Sequence, residues 1–291
     1  MLFRSYFPKT NPCHPPPLFS RIVPGDKLIA ALNLKRYGNG PTKLLAIHGL
    51  GSASSAWKLM QSKLDDRFEL ITIDLPGHGK SEVQATSFMT PEILAEMVHK
   101  SLINEGINRF HLVGNSLGGW VSLEMATKFP DNVQSVTALA PAGLWLKPRT
   151  HRNFQLSLNR YLAIITNLQI KNLIRLKIMR WIGFSSVSPR WSSLSFETCL
   201  DAALAMKAAA GYFEIWDATL GNRFDKPISS KIPITVIFGD TDKTLPAKDC
   251  QERSLAPEHA KWTILQNTGH APMWDNVDLV VSHLNKTVAH A

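Results

Sequence analysis

From Lys43 onward the chain alternates short apolar stretches with segments of helical periodicity, and this alternation limits the architectures open to it. KLLAIHG (43–49) reads as a strand and SSAWKLMQSKL (54–64) as a helix. FELITIDLPGHG (68–79) is a strand running into a glycine-rich loop, and TPEILAEMVHKSLINEG (90–106) is a helix with Thr90 as N-cap and Pro91 at its first position. RFHLVGNS, LGGWVSLEMATKF and NVQSVTALAPAG continue as strand, helix and strand over 109–143. The pattern resumes with PITVIFG, PAKDCQERSLA, AKWTILQ and a last helix over DNVDLVVSHLNKTV (275–288). Strands each followed by a helix predict a mostly parallel sheet covered on both faces. KLIAALNLKRYGNGP (27–41) predicts an antiparallel edge strand ending in a turn at Gly38-Asn39-Gly40. Residues 146–228 break the rhythm and are mostly helical, which predicts a lid inserted into the α/β order. The expected division is an extended, proline-rich arm over 1–24, a core made of 25–145 and 229–291, and the helical insertion between its two parts.

Within VGNSLGGW (113–120), glycines 114, 118 and 119 surround one serine. Glycine inside an ordered element weakens it, so three in six positions point to a backbone geometry that larger residues cannot adopt. Ser116 sits where a strand ends and a helix begins, in the G-x-S-x-G pattern of a sharp turn that lifts the hydroxyl above a sheet edge. A serine hydroxyl is hardly ionised at neutral pH and needs a base to attack anything. There are ten histidines, so residue type alone selects none. The loop after PITVIFG offers two carboxylates, Asp240 and Asp242, either of which could orient an imidazole.

Five motifs, HGLGSASSAW (48–57), DLPGHGKS (74–81), GNSLGG (114–119), GDTDKTLP (239–246) and GHAPMW (269–274), occur in an order and spacing that resemble the α/β-hydrolase family over nearly the whole chain from Lys43. The resemblance implies the α/β-hydrolase fold with an inserted helical cap, and assigns roles residue by residue. Ser116 is the expected nucleophile. His270, in the loop after the last strand, is the expected base, in preference to His48, His78 and His259. The G-x-x-D-x-x-x-P register places the acid at Asp242, with Gly239 and Pro246 in step, and gives the chain order Ser, Asp, His. The backbone N–H groups of Leu117 and Leu50 are the expected oxyanion donors. DLPGHGKS is expected to be architectural. Asn115, Trp181 and Trp274 are expected to line the substrate pocket.

The expected reaction is hydrolysis of a small or medium ester, carboxylesterase- or lactonase-like, through an acyl-enzyme. A serine at the nucleophile position argues against epoxide hydrolases and haloalkane dehalogenases, which carry aspartate there. The runner-up is a carbon–carbon bond hydrolase of aromatic ring-fission products, which G-N-S-x-G-G and Trp274 resemble. That group commonly carries Trp directly after the histidine, where this chain has Ala271. A ligand receptor on the same scaffold is a third reading, disfavoured by the complete triad. No HExxH, cysteine cluster or P-loop is present, so no metal or organic cofactor is expected.

The formal net charge of +9 belongs to one segment. Between Leu146 and Phe196 there are nine Lys or Arg and no Asp or Glu. These basic residues fall among apolar ones on helices without a nucleic-acid-reading motif, so nucleic acid is not an expected partner. Over Leu158–Ile182 the apolar residues recur at helical spacing with Lys171, Arg175 and Arg180 largely between them. Such a cap either buries its apolar stripe over the active site and turns its charges to water, or touches an anionic membrane surface. The three cysteines are far apart, and the N-terminus lacks the apolar run of a secretory signal. The expected setting is therefore reducing and cytoplasmic.

Overall fold

The computed structural model describes residues 31–83, 89–152, 154–166 and 169–291; the expected arm over 1–24 lies outside the described residues. Among the described residues seven strands form one sheet: β1 (Leu34–Tyr37), β2 (Thr42–Ile47), β3 (Phe68–Ile73), β4 (Phe110–Asn115), β5 (Val133–Leu139), β6 (Ile234–Gly239) and β7 (Lys261–Leu265). The helices are α1 (Lys58–Gln61), α2 (Pro91–Asn104), α3 (Leu117–Lys128), α4 (Phe154–Ile165), α5 (Ile170–Leu173), α6 (Lys177–Phe184), α7 (Phe196–Ala208), α8 (Tyr212–Thr219), α9 (Ala247–Cys250), α10 (Pro272–Asp275) and α11 (Val277–Val288).

The strand order is β1-β3-β2-β4-β5-β6-β7. β1 runs antiparallel to β3, with Leu34 opposite Ile73, and every other neighbouring pair is parallel. β3, β4 and β6 are buried along their whole length, as strands covered on both faces must be. Consecutive residues of β2 feed two separate cores. Leu45 and Ile47 join Leu94 and Val98 of α2 and Leu123 of α3, while Leu44 and Ala46 join Trp57, Met60 of α1 and Val280 and Leu284 of α11. The side-chain oxygen of Thr90 accepts from the Ile93 N–H and caps α2, with Pro91 at its first turn, as the sequence predicts.

Three expected helices are shorter than their patterns suggest. Residues 54–64 form a 3₁₀ turn (Ser54–Trp57) and the single turn α1, because only Trp57, Met60 and their near neighbours find a core to cover. Residues 246–256 form α9 and a second 3₁₀ turn, Arg253–Leu255. The long amphipathic stretch over 158–182 is broken into α4, α5 and α6. Thr166 turns its hydroxyl back onto the Leu162 carbonyl at the end of α4, and Leu176 is extended before α6.

Two buried histidines make stability depend on pH. His111 of β4 shares a hydrogen bond of 2.8 Å with Ser135 Oγ, and burial pushes it down to about 4. His78 is wholly buried, and burial together with the neighbouring His48 pushes it down to about 3. A folded value below the unfolded one, near 6.5, means the unfolded chain takes up the proton first as pH falls. The stability held by neutral imidazoles is complete above about pH 6.5 and declines toward the folded values. By pH 5 each histidine removes about 2 kcal/mol. Thermal melts should therefore show a clear drop in midpoint between pH 7.5 and 5, and His111→Gln should flatten that slope. An unchanged midpoint across this range would contradict the burial of two neutral imidazoles.

Candidate active site

β4 ends at Asn115 and α3 begins at Leu117, so Ser116 alone makes the turn between them. It does so at φ +55° and ψ −116°, a left-handed conformation that costs a residue with a side chain about 1–3 kcal/mol. Packing on both sides enforces the turn. A Cβ on Gly114 would lie 2.2 Å from the Gly118 carbonyl oxygen, and one on Gly118 would lie 2.1 Å from the Ile47 oxygen. The serine backbone is tied as well. Its N–H donates to Leu139 O at 2.9 Å, and its carbonyl accepts from Ala142 N at 2.9 Å and Trp120 N at 3.1 Å.

The loops after β6 and β7 bring an acid and an imidazole together. His270 Nδ1–H donates to Asp242 Oδ2 at 2.9 Å, so the acid engages one ring nitrogen and leaves Nε2 clear of it. The other carboxylate oxygen accepts from the N–H groups of Thr244 (2.9 Å) and Leu245 (2.8 Å). Burial opposes the charge on Asp242, but His270 and these two N–H donors outweigh it and hold the carboxyl below its usual range. Asp240, the rival carboxylate, is exposed and accepts from Thr268 N at 3.1 Å. The geometry thus separates two acids that the residues alone left equivalent. Ser116 and His270 line the same cavity.

The loop after β2 is held by the DLPGHGKS segment. His48 Nε2 accepts from Leu75 N at 2.9 Å and its Nδ1–H faces Gly49 O at 2.8 Å. His78 Nε2 accepts from Gly51 N at 3.0 Å, and its Nδ1–H faces Pro76 O at 3.0 Å. Asp74 accepts from Ser54 N at 2.7 Å and Lys80 N at 3.0 Å. Burial holds both imidazoles below their ordinary value, so both stay neutral acceptors. With Gly51 N given to His78 and Ser52 N to Gly49 O, the Leu50 N–H is left without an acceptor among the described residues. The Leu117 N–H is the free first donor of α3. Leu50 and Leu117 both line the cavity beside Ser116.

The expected pocket residues divide. Trp274 lines the cavity and anchors its indole N–H on Ala56 O at 3.0 Å. Asn115 also lines it, but its amide is spent on Leu139 O (3.1 Å) and His270 O (2.9 Å), so it ties the histidine loop to the sheet. Trp181 does not line the cavity and is half-exposed. The correction follows from helical phase: Met179, Ile182 and Gly183 turn the inner face of α6 to the cavity, which puts Ile178 and Trp181 on the outer face.

One set of contacts had no signal in the sequence. Residues 186–190 of the helical insertion grip both loops that carry the acid–imidazole pair. His270 N donates to Val187 O at 2.7 Å, and Thr244 Oγ1 donates to Ser186 O at 3.3 Å. The buried Asp275 carboxylate accepts from Gly269 N at 2.8 Å and from Ser188 Oγ. Arg190 donates to the Asp275 carbonyl at 2.7 Å. The bonds from residues 186–190 to these loops span 58 to 87 positions, beyond any local pattern.

The cavity encloses about 250 Å³. Its floor is Ser116, Leu117, Leu50, His270 and Trp274, and its roof is chiefly apolar, with Leu162, Ile174, Met179, Phe184, Met206 and Trp216. Among the described residues Arg149 is the one Lys or Arg that lines it; that guanidinium donates to Cys250 Sγ at 3.1 Å and lies over the Trp145 ring.

Comparison with known proteins places this geometry. An uncharacterised protein of Mycobacterium tuberculosis is 26% identical over 269 residues, covering 86% of this chain and 77% of its own. A pimeloyl-[acyl-carrier protein] methyl ester esterase of Hamiltonella defensa is 24% identical over 252 residues, covering 84% of this chain and 93% of its own. Among solved structures, a membrane phospholipase A described as a bacterial virulence factor superposes with a TM-score of 0.68 at 22% identity, over 89% of this chain and 83% of that one, and supports the fold. The model of the alpha/beta hydrolase family matches residues 44–283. With that match running from β2 to α11 and including both loops that meet at the cavity beside Ser116, the chain belongs to the alpha/beta hydrolase family.

Proposed function

We propose that the protein is a serine hydrolase that cleaves esters with an apolar acyl or alkyl group. The observation that carries this reading is the His270–Asp242 hydrogen bond of 2.9 Å, facing the same cavity as a serine held at φ +55°. Ser116 Oγ attacks the ester carbonyl carbon while His270 Nε2 takes the hydroxyl proton. Asp242, held ionised by its donors, stabilises the imidazolium and fixes its tautomer. The Leu50 and Leu117 N–H groups receive the oxyanion. Collapse breaks the bond to the alkoxy oxygen, which leaves as alcohol with the proton from His270. Water, activated by the same imidazole, then releases the acid and restores the serine.

The roof supports an apolar substrate group, and the cavity volume supports one of small to medium size. The esterase among the relatives is consistent with this class. The carbon–carbon hydrolase reading calls for a cap arginine free to hold a carboxylate, and Arg149 is already engaged by Cys250 and Trp145. The helical insertion serves as the cap that closes the cleft over the serine.

Ser116→Ala should lower turnover of a short-chain ester by about 10⁴-fold or more. Near-normal turnover in a clean preparation would end the serine-hydrolase reading. Asp242→Asn should lower kcat by about 10⁴-fold, while Asp240→Asn stays close to wild type; the reverse ranking would assign the acid wrongly. If residues 186–190 and Asp275 position His270, then Asp275→Ala should lower kcat on the order of tenfold with little change in KM, and Asp275→Asn, which still accepts from Gly269, should recover part of it. Equal loss in kcat and melting midpoint for both variants would mark Asp275 as merely structural.

A further inference from the structure

Thirteen large apolar side chains are exposed among the described residues, and eight of them lie between Leu146 and Trp181. They are not scattered. On α4, Phe154, Tyr161 and Ile165 recur at seven- and four-residue spacing with Ile164 beside them, on the face turned away from Leu162 and Ala163 of the cavity roof. On α6, Ile178 and Trp181 hold the outer face in the same way, and Leu176 precedes them. α4 and α6 are therefore apolar on both sides. A lid that only covers a cleft needs one apolar face, so the outer one requires its own explanation.

The charge around it is one-sided. Of the nine basic residues in this segment, Arg152 pairs with Asp217, Arg160 is buried against the carbonyls of Met206 and Lys207, and Arg149 and Arg190 are engaged as described. Lys171, Arg175 and Lys177 are exposed and have no acidic partner among the described residues. Arg175 lies over the Phe196 ring. We propose that the outer face of α4–α6 docks on an anionic lipid surface, seating Phe154, Ile165, Ile178 and Trp181 at the acyl boundary with Lys171, Arg175 and Lys177 among the head groups. Exposed aliphatic and aromatic groups flanked by long basic side chains match both the apolar depth and the negative charge of such a surface. No helix among the described residues is long and apolar enough to cross a membrane, so the contact is peripheral. It goes beyond the proposed hydrolysis and does not depend on it.

The test is sedimentation of the full chain with vesicles of phosphatidylglycerol and phosphatidylcholine. The protein should pellet at roughly 10 mM salt, where charges act over about 30 Å, and be released near 1 M, where they act over about 3 Å. Pure phosphatidylcholine should retain much less. Replacing Lys171, Arg175 and Lys177 by Gln should lower partitioning on the order of 100-fold, at about fivefold per charge. The Ile178→Ser/Trp181→Ser double variant should lower it about tenfold or more. Both should keep the wild-type far-ultraviolet spectrum and melting midpoint. Should either fail to fold, quenching by brominated acyl chains that is lost in Trp181→Phe reads the same contact. Ser116→Ala should pellet like wild type, so failure of the catalytic reading would leave this result untouched. Protein that stays in the supernatant with anionic vesicles at low salt overturns the proposal. So does a dimer in solution that Trp181→Ser dissociates while vesicles capture nothing, since the face would then belong to a second copy.

Discussion

The close approach of three backbones at Ser116 is the constraint around which the rest of the site is arranged. β4 pairs in parallel with β2 so that Gly114 lies opposite Ile47, and the first turn of α3 sits against the carbonyls of Ile47 and His48. Nothing larger than hydrogen fits on Gly114 or Gly118 at those distances. Because parallel strands end at one edge, the same register gathers the loops after β2, β4, β6 and β7 around the serine. The left-handed turn is strained locally, and the surrounding core over-determines it: Trp120, Val121 and Leu123 of α3 are fully buried just beyond the turn. Strain at this point therefore persists only while the sheet and α3 remain packed.

The parts of the fold that were legible in the sequence are those governed by short-range patterns. Apolar runs bounded by glycine gave the strands, Thr90-Pro91 gave the start of α2, and Gly114-Asn115-Ser116-Leu117-Gly118 gave the turn. The Asp242–His270 pair was legible only through motif register, since the pattern G-x-x-D-x-x-x-P distinguishes it from Asp240 and composition does not. What could not be read was decided by tertiary contact. The length of α1 depends on how much core lies above Trp57 and Met60. The side of α6 that faces the cavity depends on how the helix is rotated against α7, and the apolar spacing of a helix with two apolar faces leaves that phase open. Trp181 was placed on the wrong face for this reason. His78 shows a milder case: glycines around it announced a turn, but its role as acceptor for Gly51 N needs the two loops side by side.

The helical insertion joins the site in two physically different ways. Residues 186–190 meet the acid and histidine loops through backbone and buried side-chain hydrogen bonds, including His270 N to Val187 O and Ser188 to Asp275. α4, α5 and α6 meet it through apolar contact, with Leu162, Ile174 and Met179 over the cavity. Directional bonds fix position, whereas apolar contacts tolerate sliding and repacking. One segment thus meets the core through directional bonds at 186–190 and covers the cavity through apolar contact elsewhere.

That difference decides how a substrate can enter. Swinging the whole insertion away would break the Val187–His270 bond and the Asp275 contacts, leaving buried donors unpaired at about 1–3 kcal/mol each, and would loosen the loop that carries His270 into the cavity. Moving α4–α6 alone leaves residues 186–190 and the histidine loop intact. Arg160 of α4 donates to Met206 O (2.7 Å) and Lys207 O (2.6 Å) of α7, and the breaks at Thr166 and Leu176 already divide the roof into short pieces. On the proposed reading, opening therefore proceeds by parting α4 from α7 while the acid–imidazole pair keeps its geometry. The pieces that must move are also those whose outer faces are apolar and basic. A surface that binds those faces would act on the entrance to the cavity and leave the proposed catalytic groups where they are.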